Sequence, residues 1–294
     1  MNILITGAWQ DAKSLMKDIE NKGHNVIFMQ YEKDSLPCEY EWVEGIVGNG
    51  IFLYHNIEKF TNLKYIQLTS AGFDRVPIDY VKAHNIKINN ARGVYSIPMA
   101  EFAVVGVLQL YKSMTFFRDN QRRCVWEKKR DILELNGKTV TVLGCGSVGQ
   151  EVAKRFKAFG CKVLGVDIVT FENENFEKIY HLSELNNILP MSHIIVLTLP
   201  LTEDTKHLIN EDKFKLMKQG AVLVNISRGG VVDQEALVKH IDNLGGAVLD
   251  VFETEPLNIE SPLWQKENVI ITPHNSFVSE NNNIRLNKVI LDNL

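Results

Sequence analysis

The chain has no pair of cysteines spaced to hold a metal or form a redox couple. Cys38, Cys124, Cys145 and Cys161 stand far apart, with no C-x-x-C and no histidine close enough in sequence to complete a ligand set. That excludes a zinc site and a disulfide framework, and predicts reduced thiols in a reducing compartment. A long apolar run is also missing, since no stretch approaches the ~20 residues of a membrane span. The opening Met1-Asn-Ile-Leu-Ile-Thr-Gly7 has no basic flank, extended apolar segment or small-residue cleavage site, so it reads as a first strand and not a signal peptide. Charge of one sign is lacking too. Thirty-two Lys and Arg are mixed with 36 Asp and Glu for a net charge of −4, which argues against a polyanion partner. The one basic cluster, residues 118–130, interleaves Arg122, Arg123, Lys128 and Lys129 with Asp119, Glu127 and Asp131, as a solvated helix end and linker would. There is no short-period repeat and no low-complexity tract. The expectation is a cytoplasmic chain with no metal, nucleic-acid or membrane partner.

What is present is two α/β patterns in succession. A length of 294 residues with 45% hydrophobic and 23% charged content suits two globular domains. In the first, short apolar strands at 1–6, 25–29, 45–47, 65–68 and 87–89 alternate with polar helical segments. In the second, an apolar helix over 99–111 precedes strands at 139–143, 162–167, 193–197, 221–225, 246–250 and 269–271, six in one parallel sheet. That helix is apolar nearly all round, so it should be covered on more than one side, by the other domain or by a second subunit. The fold class expected is α/β with two Rossmann-like, doubly wound parallel-sheet domains. The first is flavodoxin-like and comprises residues 1–96 with 277–294; the second is a full Rossmann domain of residues 97–276.

The densest signal is Thr139-Val-Thr-Val-Leu-Gly-Cys-Gly-Ser-Val-Gly149, followed by Gly160-Cys-Lys-Val-Leu-Gly-Val-Asp167. Strand, G-x-G-x-x-G turn, helix and acid-terminated strand together form a dinucleotide site, where the bare glycine spacing would be weak. Gly144 permits the tight turn, Gly146 leaves room for pyrophosphate, and Gly149 lets the helix (residues 150–158) pack on the sheet. Ser147 and Val148 lie in the turn as further cofactor-binding residues, ahead of that helix, whose unpaired N–H groups face the phosphates. Asp167 stands where a carboxylate binds the ribose diol and repels a 2′-phosphate, which specifies NAD over NADP. The opening Gly7-Ala-Trp-Gln lacks the second and third glycines, so the first domain is a poor nucleotide binder.

Ligands in such sheets bind outside the carboxyl ends of the strands. Thr198, Pro200 and Thr205 follow the third strand of the second domain there, and Ile226 and Arg228 follow the fourth. Asp250 ends the fifth, ahead of Glu253-Thr-Glu255, and Thr272-Pro-His274 ends the sixth. An arginine can grip a carboxylate at two points. A histidine can exchange a proton near neutrality, and a neighbouring glutamate would fix its tautomer. This is the set needed to move a hydride to a 2-keto acid. Each residue also has a plainer role: a capped loop histidine, an arginine on strand carbonyls, a surface glutamate. Asp233 reads as a helix N-cap before Gln-Glu-Ala-Leu. The seven other histidines carry no functional reading.

At these residues the chain resembles the NAD-dependent D-isomer-specific 2-hydroxyacid dehydrogenases, a family that includes phosphoglycerate dehydrogenases and hydroxypyruvate reductases. The resemblance runs from about Leu63 to His274, through Thr69-Ser70-Ala71-Gly72-Phe-Asp74, Asn90-Ala-Arg-Gly93, Ala100-Glu101, the glycine turn, Leu199-Pro-Leu-Thr202, Asn225-Ile-Ser-Arg228-Gly-Gly, Leu249-Asp-Val-Phe-Glu-Thr-Glu255-Pro256 and Thr272-Pro-His274. It implies that Arg228, Glu255 and His274 are the catalytic trio, and it selects Glu255 over Glu253 as the histidine's partner. It implies that Asp250 contacts the nicotinamide, and that Ser70, Ala71, Gly72 and Arg228 hold the substrate. The first domain then becomes the substrate domain and the second the NAD-binding one, in a homodimer. A corepressor-like NADH sensor on the same fold is the alternative of another class. Formate oxidation is disfavoured by the carboxylate at Glu255. The tail after His274, Asn-Ser-Phe-Val-Ser-Glu-Asn-Asn-Asn, is more polar and poorer in glycine than the family's usual run. A short last helix over 284–294 is expected to return to the first domain, with no further regulatory domain.

Overall fold

Most strand segments of this chain are short, continuous apolar runs, the pattern of strands buried on both faces of a parallel sheet. The computed structural model describes residues 1–294. It divides into two compact units, Met1–Tyr95 with Ser279–Leu294, and Ser96–Val278. No helix is long and apolar enough to cross a membrane.

The first unit contains β1 (Asn2–Thr6), α1 (Ala12–Asn21), β2 (Asn25–Met29), β3 (Gly45–Gly48), β4 (Tyr65–Leu68), α2 (Ile78–Ala83) and β5 (Lys87–Asn89). All strands pair in parallel, in the order β2-β1-β3-β4-β5. The order reverses between β1 and β3, which is the topological switch point of this sheet. Ile3, Leu4 and Ile5 are fully buried. The C-terminal helix, Asn282–Asn293, starts two residues before the sequence expectation and packs on this unit. Its Leu286 and Ile290 join Ile3, Ile5, Trp9 and Ala12 in one cluster. Trp9 Nε1 donates to Asn287 Oδ1 at 2.6 Å, and Asn287 Nδ2 donates onward to Asp11 Oδ2 at 2.7 Å.

The second unit opens with α3 (Ser96–Tyr111) and α4 (Met114–Arg122). It continues through β6 (Thr139–Leu143), α5 (Ser147–Ala158), β7 (Lys162–Asp167), β8 (Lys178–His181) and α6 (Leu185–Ile188). It ends with β9 (Ile194–Leu197), α7 (Glu211–Leu216), β10 (Val222–Asn225), α8 (Gln234–His240), β11 (Gly246–Leu249) and β12 (Val269–Ile271). The parallel sheet runs β12-β11-β10-β9-β6-β7-β8, so it has seven strands and not the expected six. The extra strand, β8, pairs only with β7 at the sheet edge. Its Lys178 and His181 are exposed, so it lacks the apolar run that marks the others. The central strands divide their side chains between two cores with a period of two. Val140, Val142, Ile194, Val196, Val222, Val224 and Val248 face α3 and α5. Leu143, Ile195, Leu197, Leu223, Ala247 and Leu249 face the opposite layer. Each fully buried aliphatic side chain contributes roughly 1.5–3 kcal/mol. Asp233 caps α8 by accepting from Ala236 N at 2.9 Å. The switch point of this sheet lies between β6 and β9, where the glycine turn sits.

Candidate active site

The turn after β6 is built by close approach of backbone. Gly144 has φ +95°, a conformation that side-chain-bearing residues rarely adopt. A Cβ on Gly149 would lie 2.0 Å from the Gly144 carbonyl oxygen, so α5 comes this close to β6 only with glycine there. The helix α5 begins at Ser147, three residues earlier than the sequence pattern indicated. Thr198, just beyond β9, donates to the Gly144 carbonyl at 2.6 Å and ties the two sides of the switch point together. A Cβ on Gly146 would meet nothing within 4 Å. No side chain caps α5, and its first turn carries no acid. Open space before uncapped N–H groups fits a pyrophosphate, which those groups and Gly146 would hold.

Asp167 closes the turn from the end of β7. Its Oδ2 accepts from Cys145 N at 2.6 Å, and its Oδ1 accepts from Ile168 N at 2.7 Å and Val169 N at 3.3 Å. Beneath it the Cys145 thiol is buried, which pushes its pKa up to about 12, with the charge of Asp167 adding to the effect. Thr205 hydrogen-bonds the Pro200 carbonyl at 2.7 Å and receives Thr202 N at 2.8 Å, so it braces its own loop. Ile226 is buried in the core beneath the sheet end.

Beyond β10, Asn225 builds the next corner. Its Oδ1 accepts from Ser227 N and Oγ at 3.1 and 2.8 Å, while its Nδ2 donates to the Arg228 carbonyl at 3.1 Å. Arg228 follows in extended backbone, with Nη1 donating to the Ser227 carbonyl at 2.8 Å. Beyond β11 and β12 the sequence-marked acid and histidine meet. His274 Nδ1 lies 2.9 Å from Glu255 Oε2, and Glu255 Oε1 accepts from Phe252 N at 3.1 Å. Both side chains are 39% exposed, so the pair is open to a ligand. Glu253 turns elsewhere, accepting from Gln234 N at 2.7 Å with His207 Nε2 at 3.3 Å.

Asp250 does work that no local pattern marked. It is 1% exposed; Oδ1 accepts from Thr272 Oγ1 and Asn275 N, both at 2.7 Å, and Oδ2 from Ser276 N at 2.9 Å. Its carbonyl accepts from His274 N at 2.8 Å. Four bonds to one aspartate hold His274 at φ +52°, a left-handed conformation uncommon for histidine. Phe277 and the imidazole make a T-shaped contact at 6.1 Å between centroids. An acid at a buried strand end, with hydroxyl residues some 20 positions on, is the only trace of this brace in the sequence. Asn225 leaves a similar trace.

In the first unit, the loop after β4 carries Ser70, Ala71 and Gly72. Ser70 Oγ donates to the Gly72 carbonyl at 3.0 Å, and Asn90 Nδ2 donates to that of Ala71 at 2.6 Å. Tyr95 donates to the Thr69 carbonyl at 2.5 Å. These bonds use carbonyls and leave the N–H groups of Ala71 and Gly72 without an acceptor in the chain.

A family model described as "D-isomer specific 2-hydroxyacid dehydrogenase, NAD binding domain" matches residues 104–276. A glyoxylate reductase of Thermofilum pendens is 37% identical over 221 residues, 72% of this chain and 65% of that protein. Among solved structures, a D-isomer specific 2-hydroxyacid dehydrogenase family protein from Aeromonas salmonicida is 30% identical with a TM-score of 0.84, over 99% of this chain and 94% of that one. A D-lactate dehydrogenase from Aquifex aeolicus, complexed with NAD and lactic acid, is 28% identical with a TM-score of 0.81, over 99% and 93%.

Proposed function

The chain belongs to the D-isomer specific 2-hydroxyacid dehydrogenases and carries their NAD-binding domain, and from that premise we propose that it interconverts a 2-keto acid and a D-2-hydroxy acid with NAD(H). The observation that carries this reading is the 2.9 Å pair of His274 and Glu255, beyond the carboxyl ends of the same parallel sheet as the glycine turn. Glyoxylate, hydroxypyruvate and pyruvate head the substrate classes to try. In this reading residues 1–96 with 277–294 bind substrate and residues 97–276 bind NAD.

The chemistry NAD(H) supplies when bound is hydride transfer at the carbonyl carbon. Arg228 takes the substrate carboxylate and draws electron density from the adjacent carbonyl. The N–H groups of Ala71 and Gly72 are the carboxylate donors that the first unit offers. Because Glu255 occupies Nδ1, Nε2 is the imidazole nitrogen that exchanges a proton with substrate. As the C=O π pair moves onto oxygen, His274 gives that oxygen its proton; in the oxidative direction it takes the proton back. Glu255 stabilises the charged imidazolium before reduction and holds the ring in place throughout. Asp250, which builds the His274 turn, orients the acid catalyst.

The test is NADH consumption against a panel of 2-keto acids, with His274→Ala as control. General acid catalysis is worth about 10²–10⁴-fold, so kcat should fall by that order while NADH binding, read by fluorescence, persists. Turnover unchanged in the variant would remove His274 as the proton donor.

We also read the protein as a homodimer. Val125, Trp126, Ile132 and Leu133, in the segment after α4, are exposed, Trp126 to 97%. Burying such residues is a common source of subunit association. Light scattering should return twice the monomer mass of 33.5 kDa; a monomer at micromolar concentration would rule this out.

A further inference from the structure

The switch point of the first unit is where a parallel sheet of this order offers its ligand crevice. Here a side chain of the same protein fills it. Glu32 reaches from the segment after β2 across the ends of β1 and β3. Its Oε1 accepts from Thr6 Oγ1 at 2.9 Å and from Asn49 N at 2.7 Å, and its Oε2 accepts from Gly50 N at 2.8 Å. One hydroxyl and two successive backbone N–H groups are donors of the kind that cradle a phosphate or carboxylate. Gly48 makes room for this arrangement: a Cβ there would lie 2.7 Å from Glu32 Oε1. From behind, the buried His55 fixes the backbone of Glu32. Tyr40 donates to Nδ1 at 2.9 Å, so Nε2 carries the hydrogen that meets the Glu32 carbonyl at 3.0 Å.

The turn that Glu32 holds adjoins the loop proposed to bind substrate. Thr69 N donates to the Gly48 carbonyl at 2.9 Å, so Asn49–Gly50 and residues 70–72 leave adjacent strands side by side. A Cβ on Gly50 would lie 3.4 Å from Leu53 and 3.5 Å from Arg75, so both side chains stand beside the turn.

We propose that Glu32 is a positioning residue: its carboxylate occupies the anion seat of the first unit and fixes the Asn49–Gly50 turn as a wall of the substrate site. The second half of this inference rests on the dehydrogenase reading; the first half does not. With the seat filled, a substrate carboxylate goes to Ala71 and Gly72 instead.

Glu32→Ala empties the seat and leaves three donors unsatisfied. With the best 2-keto acid of the panel, KM should rise ~10-fold with kcat within ~2-fold, because the loss falls on binding rather than on the reacting atoms. Sodium formate, against sodium chloride at equal ionic strength, should bring KM of the variant back toward the wild-type value. It should also raise the variant's Tm saturably by a few degrees more than that of the wild type, since the variant offers it one seat more. Gly48→Ala, which displaces the carboxylate, should reproduce the KM rise, and the double substitution should be no worse than Glu32→Ala alone. An unchanged KM, additive single effects, or indifference to formate in the variant would overturn the proposal. If the wild type itself turned over no 2-keto acid, the dehydrogenase reading would fail, while the formate-dependent Tm would still decide whether Glu32 fills an anion seat.

Discussion

Asp167 presents a carboxylate that three backbone N–H groups already hold, with one of its about four lone-pair sites, on Oδ2, left for a ribose hydroxyl. A 2′-phosphate brought to the same place meets a fixed like charge, at a cost of a few kcal/mol. NADH should therefore be used over NADPH by ~100-fold in kcat/KM, about 2.8 kcal/mol at 1.4 per tenfold. Asp167→Ser should narrow that ratio from the NADPH side. Equal efficiency with both cofactors in the unaltered protein would sink the assignment. Asp167 and Asp250 share a chemistry and differ in burial. The first is set at the open end of a strand, while the second is enclosed and spends its acceptors on shaping the turn of His274.

At the scale of elements, the amino ends of β6 and β9 meet through His193. Thr139 N donates to its Nδ1 at 3.1 Å, and Lys218 Nζ lies 2.9 Å from its Nε2. Burial first, and then the charges of Lys218 and Lys138, hold its pKa below the ordinary histidine value. Unfolded, the ring takes up its proton near pH 6.5, and folded it does so only at lower pH. The stability this ring contributes is complete above the unfolded value and is lost as pH falls toward the folded one. Urea unfolding at pH 7.5 and pH 5 should show His193→Gln losing less stability on acidification than the unaltered protein. Identical pH slopes would take His193 out of the acid response.

At the scale of the whole chain, the polypeptide builds most of one unit, then all of the other, and returns to the first with its last helix. The first core is thus completed by residues almost 300 positions from its first strand. Leu286, 5% exposed, packs with Ile3, Ile5 and Trp9. Leu286→Ala should cost about 2–5 kcal/mol, the usual range for truncation in a core. The loss should appear as faster hydrogen exchange at the amides of β1, with those of β9 and β10 little changed. Equal acceleration in both sheets would mean that the helix supports more than the first unit.

Much of this was legible in the chain. Short, mainly apolar segments marked eleven of the twelve strands, because most of them are covered on both faces and have no polar side to disguise them. Glycine spacing and an acid at a strand end marked the dinucleotide turn, because that geometry is made within about thirty residues. The edge strand β8 was not legible, since half of its side chains face water. Nor were the left-handed turn of His274 built by Asp250, the corner set by Asn225, or the seat filled by Glu32. The sequence by itself determined the elements, the cofactor turn and which residue types end which strands. Only the tertiary structure decided that Asp250 braces His274 from 24 positions away and that Glu32 caps a turn 17 and 18 positions on. Such carboxylates take their donors from whichever strands the fold sets beside them, and no local pattern records that choice.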